Sequence, residues 1–222
     1  MRTRRLAVLG SVGLALTLAG CVSLKRTPEA RFFVLRSVAE PPAAAGAPGT
    51  TVLLGLLPVV LPGYLDRPQI ASWVAPGELR IDEYLRWAEP LDVGLNRTLA
   101  ANLEALMPQS RVLRAPWPSS ARLRCRVRVE LQKLGPQPSG EVLLQGRFAL
   151  LPADDERRLA ARPVSLERRP LVPAGASLDA AAGVDAMSEL VADLAREIAA
   201  AISALPAESD DVPPPGDAAA HR

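Results

Sequence analysis

Cys21 is the residue whose surroundings most clearly predict a covalent modification. A basic segment at 2–5 precedes an uninterrupted run of apolar and small residues at 6–18, and a Leu-Ala-Gly tripeptide stands directly before the cysteine. The run is shorter than the roughly 20 apolar residues of a permanent membrane-spanning helix, and its order is that of a signal peptide. The tripeptide and cysteine match the lipobox of bacterial lipoproteins. The sequence therefore predicts cleavage after residue 20 and a thioether-linked diacylglycerol on the Cys21 thiol.

The residues after Cys21 bear on which membrane holds the lipid. A single acyl chain binds a bilayer only marginally, whereas two or three chains on one cysteine make a lasting anchor. Val22 and Ser23 follow the cysteine, in place of the Asp that typically retains a lipoprotein at the inner membrane. We therefore expect an anchor in the outer membrane with the protein facing the periplasm, and the inner membrane is the alternative.

The remaining residues offer little for catalysis or metal binding. With Cys21 lipidated, Cys125 has no partner for an intramolecular disulfide, and the single histidine, His221, is the next-to-last residue. This excludes Ser-His-Asp and Cys-His catalysis and histidine-based metal sites. Carboxylate or Ser/Lys chemistry is the remaining enzymatic alternative, but no motif for it occurs. We predict no metal, no organic cofactor and no enzymatic activity.

Net charge argues against nucleic-acid binding. Removal of the leader takes Arg2, Arg4 and Arg5 from the 26 basic residues and leaves all 24 acidic ones, so the mature net charge is −1. Nucleic-acid binding depends on a basic surface that neutralises phosphates. We therefore expect no nucleic-acid partner.

The loop at 63–70 combines an aromatic residue, an acid and a base: Tyr64, Asp66 and Arg67. It lies between two predicted strands, and binding residues are often on such loops. One interpretation is an exposed ion pair beside a turn, which contributes little to stability. The other is a contact site for a partner protein, and both stay open at this point.

A row of arginines marks the clearest strand. Arg122, Arg124, Arg126 and Arg128 alternate with apolar residues, and strict alternation predicts a half-buried strand with Cys125 on its apolar side. The favoured interpretation of the row is a solvated face with acidic neighbours. The alternative is an interface with a partner protein, another subunit or anionic lipid headgroups, because guanidinium pairs well with carboxylate and phosphate.

Strands and helices recur along the chain in an order typical of α+β proteins. Alternating or compact apolar runs predict strands at 31–36, 51–61, 69–74, 78–81, 122–131, 142–150 and 163–171. Apolar residues at helical spacing predict helices at 91–106 and 177–205. We expect a single α+β domain, with a mixed, mostly antiparallel sheet and two main helices packed on it. We expect residues 21–30 to form a tether, 31–205 the domain, and 206–222 a disordered, acidic and Pro-rich tail.

Several blocks of sequence resemble one family. The lipobox, the Arg-Phe-Phe-Val-Leu block at 31–35, the Pro-Gly-Tyr-Leu-Asp-Arg-Pro-Gln-Ile block at 62–70 and the Arg-Trp-Ala-Glu-Pro-Leu block at 86–91 are similar to the ABC-type transport auxiliary lipoproteins, the PqiC-like family. The family often has tyrosines where this chain has Phe32 and Phe33, a departure expected to keep the packing.

The resemblance implies a function that the residues alone do not. It implies an outer-membrane lipoprotein that docks a transporter containing MCE-domain proteins, moves lipids or other hydrophobic molecules, supports envelope integrity and self-assembles into a ring. The competing hypothesis is a structural lipoprotein that tethers another envelope complex and handles no lipid. A lipid-handling protein should contain an apolar groove or channel, and a pure tether need not.

The lipid anchor leads to the first testable prediction. Because the lipid is attached through a thiol, Cys21→Ser should leave an unprocessed precursor that incorporates no labelled palmitate during growth. Cys125→Ser is the matched control and should label as strongly as the wild type. Continued labelling of the Cys21→Ser protein would place the anchor elsewhere.

Overall fold

The computed structural model describes residues 28–41, 51–153, 160–170 and 179–206. These residues form β1 (Arg31–Phe33), β2 (Val52–Leu56), β3 (Gln69–Ala75), β4 (Glu78–Trp87), α1 (Leu91–Leu106), β5 (Ser110–Arg114), β6 (Leu123–Pro136), β7 (Val142–Leu151), β8 (Ala160–Arg168) and α2 (Ala180–Ser203). The predicted signal peptide, the lipidation site Cys21 and nearly all of the predicted tail lie outside the described residues.

The larger sheet has five strands in the order β5-β2-β6-β7-β8. β2 runs parallel to both β5 and β6, and β6, β7 and β8 are successively antiparallel. Its central strand β6 is 14 residues long, and residues 123–131 alternate between buried and half-buried side chains as predicted. The buried side of β6 faces the helices, because apolar side chains can leave water only where another layer covers them.

The smaller sheet has three strands in the order β1-β4-β3, with β1 parallel and β3 antiparallel to β4. One hydrophobic core nevertheless draws residues from both sheets and both helices. The predicted single α+β domain is therefore confirmed, while its strands form two sheets rather than one. The two sheets meet where a Cβ on Gly135 of β6 would lie 2.8 Å from the carbonyl oxygen of Ala71 on β3.

Both helices bury the apolar stripes that their sequences predict. In α1, Leu91, Leu95, Leu99 and Leu103 are buried, and Pro90 is the residue just before the helix. In α2 the buried stripe includes Met187, Leu190, Val191, Leu194, Ile198 and Ile202. Asp179 precedes the first residue of α2, and its pKa is lowered chiefly by a hydrogen bond from Arg31.

Some predicted strands differ from the observed ones. β1 ends at Phe33, before the predicted end at residue 36. Phe33 packs against the core, whereas the neighbouring Phe32 is exposed. β2 ends at Leu56, shortly before Pro58, which has no amide proton to pair. β4 extends to Trp87, and β5 was not predicted because five residues give too short a pattern. The predicted turn after residue 153 is outside the described residues.

A buried amide fixes the chain after β1 to α1. The Asn102 side-chain oxygen accepts hydrogen bonds from the Ser37 hydroxyl at 2.7 Å and from the Val38 and Ala39 amides at 3.0 Å each. Asn102 is fully buried, and its Nδ2 is without a hydrogen-bond partner among the described residues. The side-chain oxygen therefore holds this segment on α1. It accepts hydrogen bonds from backbone amides that water could not easily reach beside the helix.

Replacing this amide tests its contribution. Asn102→Ala should lower the free energy of unfolding by about 2–3 kcal/mol, because backbone donors lose their acceptor in a buried setting. Asn102→Asp keeps the shape and an acceptor for the same donors, but its second oxygen takes the unpartnered position of Nδ2, so it should lose less than Asn102→Ala only at a pH low enough to keep the buried carboxyl protonated. Urea denaturation of the three proteins measures the difference. A loss for Asn102→Ala no larger than that of an ordinary surface substitution would contradict this account.

Candidate functional site

The segment at 62–68 forms a tight loop between β2 and β3. The Leu65 amide donates to the Pro62 carbonyl at 2.9 Å, and the Arg67 amide donates to the Leu65 carbonyl at 2.9 Å. The Leu65 side chain is buried in the core, and the Pro68 carbonyl accepts a hydrogen bond from the Trp87 amide at 2.7 Å. Both ends of the loop are thereby fixed to the fold.

Tyr64 anchors this loop to the larger sheet. Its hydroxyl donates a hydrogen bond to the Gln132 carbonyl on β6, and its ring meets Trp73 of β3 edge to face, with centroids 5.7 Å apart. Burial raises the pKa of Tyr64. Tyr64 thus touches both sheets, and of the three residues predicted in this loop it is the one that positions the others.

Asp66 and Arg67 are exposed at the tip of the loop. They do not form the ion pair considered above, and within the described chain neither makes a salt bridge. The charge of Arg67 nonetheless affects the pKa of Glu83 on β4. A hydrogen bond from Gln69 is the largest cause lowering the pKa of Glu83, and the charges of Arg86 and Arg67 lower it further. The loop tip therefore presents one negative and one positive side chain that do not pair with each other, on a loop whose position is fixed by the fold.

The predicted row of arginines is divided by the structure. Arg122 precedes β6 and is exposed, whereas Arg124, Arg126 and Arg128 are half-buried on the strand. The Arg124 guanidinium donates to the Leu205 carbonyl after α2 at 3.3 Å, and Arg126 Nε donates to the Pro152 carbonyl after β7 at 2.9 Å. These two arginines fasten the ends of other elements to β6, in addition to facing solvent.

An ion pair and buried leucine side chains accompany the arginines on the larger sheet. Glu130, next in the alternation of β6, pairs with Arg147 on β7, its partner in the strand register. Leu151, the register partner of Arg126, is buried, as is Leu123 at the start of β6. Among the described residues, Glu130 is an acidic neighbour of the kind expected for a solvated face.

The loop tip and the arginine row are separate sites. Tyr64 meets β6 at Gln132, four residues beyond Arg128, and four strand residues span about 13 Å. The arginines then continue away from the loop toward Arg122. The structure therefore gives two candidate surfaces instead of one combined site.

Two grooves were not foreseen from the sequence. A groove of about 780 Å³ lies between α1 and the β5 region, and charged side chains from Asp92 to Arg114 contribute to its lining. A second, of about 500 Å³, lies between the smaller sheet, the β6–β7 turn and the start of α2. Its lining includes the apolar Ile70, Trp73, Val74, Leu85 and Met187 and the charged Arg80, Asp82 and Asp179. Periodicity cannot reveal the second groove, because its walls come from segments more than 100 residues apart.

The chemistry of the described residues is limited. Cys125 is fully buried, and burial raises the pKa of its thiol to about 11, which keeps it protonated at neutral pH. Within the described ranges, no three His, Cys, Asp or Glu side chains are grouped so that they could hold a metal ion. Likewise, the two described helices include none that is long and apolar enough to cross a membrane.

Comparison with known families identifies the chain. The family model for the ABC-type transport auxiliary lipoprotein component matches residues 33–199, which is most of the described domain. The chain belongs to this family. The resemblance inferred from the sequence blocks is thereby confirmed, and the chain is an auxiliary lipoprotein of ABC-type transport, a membership that fits a membrane-anchored location.

Solved structures share the fold of this auxiliary lipoprotein. The crystal structure of an uncharacterized protein is 21% identical, with a TM-score of 0.63 over 79% of this chain and 99% of that one. A Xanthomonas campestris protein of the DUF330 family model is 19% identical, with a TM-score of 0.63 over 77% of this chain and 93% of its own. At these identities the likeness shows the fold alone. Among curated proteins, none matches the chain.

The anchoring role of Tyr64 can be measured directly. Tyr64→Phe removes only the hydroxyl and should cost about 1 kcal/mol in the free energy of unfolding, the usual net value of one hydrogen bond. Tyr64→Ala also removes the edge contact with Trp73 and should cost about 2–4 kcal/mol. Urea denaturation compares the two, and equal losses would show that the ring contributes nothing beyond the hydroxyl.

Proposed function

We propose that this auxiliary lipoprotein is a periplasmic accessory subunit of an MCE-type ABC transport system for lipids or other hydrophobic molecules, anchored in the outer membrane through Cys21. The observation that carries the proposal is the family match, which spans 33–199 and so covers both sheets and both helices. In this function the chain docks other subunits, contributes to envelope integrity and performs no catalysis.

The loop tip supports a docking role. Asp66 and Arg67 present opposite charges that pair with no described side chain, on a loop that Tyr64 and Leu65 fix to the fold. Binding such a rigid loop requires little ordering of its backbone, and interfacial charges mainly contribute to partner choice and association rate. We propose Tyr64, Asp66 and Arg67 as a partner contact, with Tyr64 acting through the loop conformation.

The arginine row supports a second, weaker contact. Arg122 is exposed ahead of β6, while the guanidinium groups of Arg124 and Arg126 already bind backbone carbonyls. Truncating those two would therefore disturb the fold as well as any interface. We propose that Arg122 is the member of the row that binds an acidic partner surface, because it can do so without breaking a contact that holds the fold together.

The second groove supports the handling of a hydrophobic molecule over a purely structural tether. Its volume of about 500 Å³ is within the range of small-molecule sites, and its wall combines apolar side chains with the charged Arg80, Asp82 and Asp179, a lining suited to a molecule that has a polar end. A tether without lipid handling would not require such a groove. Assembly of several copies into a ring is part of the proposed arrangement.

The docking proposal is tested by Asp66→Ala combined with Arg67→Ala. Because both side chains are exposed and make no described ion pair, the free energy of unfolding should change by about 0–1 kcal/mol. Cross-linking to the transporter in solubilised envelopes should fall several-fold, since interface truncations often cost 2 kcal/mol or more. Thermal unfolding and native mass spectrometry of the recovered complexes measure the two effects.

A matched control is available on another part of the surface. Glu141→Ala combined with Arg169→Ala removes an exposed ion pair of the same net charge, 3.1 Å apart, near the β6–β7 turn and the end of β8. Its complexes should be unchanged. Equal recovery of complexes from both double variants would contradict the docking role of the loop. A large loss of melting temperature in the loop variant would instead make its tip a structural element.

A further inference from the structure

An exposed apolar patch lies on the outer face of the smaller sheet. Phe32 is 64% exposed, Val34 is 46% exposed and Tyr84 is 37% exposed. Single exposed apolar residues are common on protein surfaces. A group of three that includes two aromatic rings is less common and often marks an interaction site. We call Phe32, Val34 and Tyr84 the β1 patch.

Strand register brings the patch together. Phe32 on β1 pairs with Arg86 on β4, and Tyr84 is two residues before Arg86, so it shares the face of Phe32. Val34 continues the alternation beyond β1, while Phe33 and Leu35 turn toward the core. β1 is the outermost strand of its sheet. The patch therefore lies at the border of the smaller sheet, on its exposed outer face.

The length of chain between Cys21 and β1 limits how far the β1 patch can lie from the membrane that holds the lipid. Pro28, where the described chain begins, is seven positions after Cys21, and Phe32 is eleven positions after it. A fully extended chain spans at most about 3.6 Å per residue, so Pro28 can lie no farther than about 25 Å from the anchor, and Phe32 no farther than about 40 Å. Of the described elements, β1 is the one whose distance from the proposed anchor the chain limits most tightly.

The charges around the patch favour an apolar contact over an electrostatic one. Arg31 pairs with Asp179 at 3.0 Å, Arg36 with Asp185 at 2.6 Å, and Arg86 with Glu83 at 3.2 Å. With its flanking arginines compensated, the surface has little excess positive charge with which to select anionic lipid. Phenylalanine and tyrosine rings are well suited to the boundary between headgroups and acyl chains.

We propose that the β1 patch rests on the surface of the membrane that holds Cys21, with Phe32, Val34 and Tyr84 inserted at the level of the lipid headgroups. The lipid anchor and the patch then act as two linked attachments, so that the second binds at high effective concentration and fixes the orientation of the domain. This inference rests on the proposed anchoring at Cys21.

The test places a fluorescent label at two matched valines of the full lipidated chain. Val34→Cys lies in the patch, and Val60→Cys is 53% exposed beside β6. Cys21 is lipidated and Cys125 is buried, so each introduced thiol is the reactive one. Each protein is placed in phosphatidylcholine vesicles containing nitroxide-labelled lipid, with aqueous iodide as the second quencher. Melting curves check that both variants fold.

The lipid quencher should reduce fluorescence at position 34 at least about threefold more than at position 60, with iodide showing the reverse order. Equal quenching by lipid at both positions would overturn the proposal. So would a label at position 34 that neither quencher reaches, because a second copy of the chain would then cover the patch. Mass analysis for the acyl chains is made on the same sample, so that loss of the anchor is distinguished from failure of the patch alone.

Discussion

The close approach of β6 to β3 at Gly135 is the contact on which the rest of the fold depends. Gly135 has φ +146, which favours glycine, and a Cβ there would lie 2.8 Å from the Ala71 carbonyl oxygen and 3.3 Å from the Trp73 ring. Any side chain would push the smaller sheet away from the larger one. Because this position has none, the two sheets share one core, and Trp73 reaches the ring of Tyr64.

The loop at 62–68 inherits its rigidity from that junction. Tyr64 contacts Trp73 on the smaller sheet and Gln132 on the larger one, so its position is defined only while both sheets are in place. The second groove depends on the same arrangement, since Trp73 and Pro136 both contribute to its wall. The proposed docking loop and the proposed site for a hydrophobic molecule are thus supported by one structural joint.

The features that could be predicted from the sequence are those that depend on residues close together along the chain. The alternation of β6 and the apolar stripes of α1 and α2 are local patterns, and they predicted those elements correctly. The packing of the two sheets against each other depends on the contact of Gly135 with a residue 64 positions earlier, for which the sequence carries no local signal. Similarly, residue types selected the loop at 63–70, but only the structure separates Tyr64, which anchors it, from Asp66 and Arg67, which it presents.

The register of the smaller sheet links the two proposed surfaces. Gln69, which directly follows the loop, pairs with Arg86, and Arg86 pairs with Phe32 on the other side. Strands are about 4.8 Å apart, so the backbone of Gln69 lies about 10 Å from that of Phe32. A domain that rests on the membrane through the β1 patch would hold Asp66 and Arg67 within a few residues' reach of the bilayer surface. In the proposed arrangement, a transporter subunit bound to the loop would also lie close to the anchoring membrane, and the proposed hydrophobic cargo would be exchanged there.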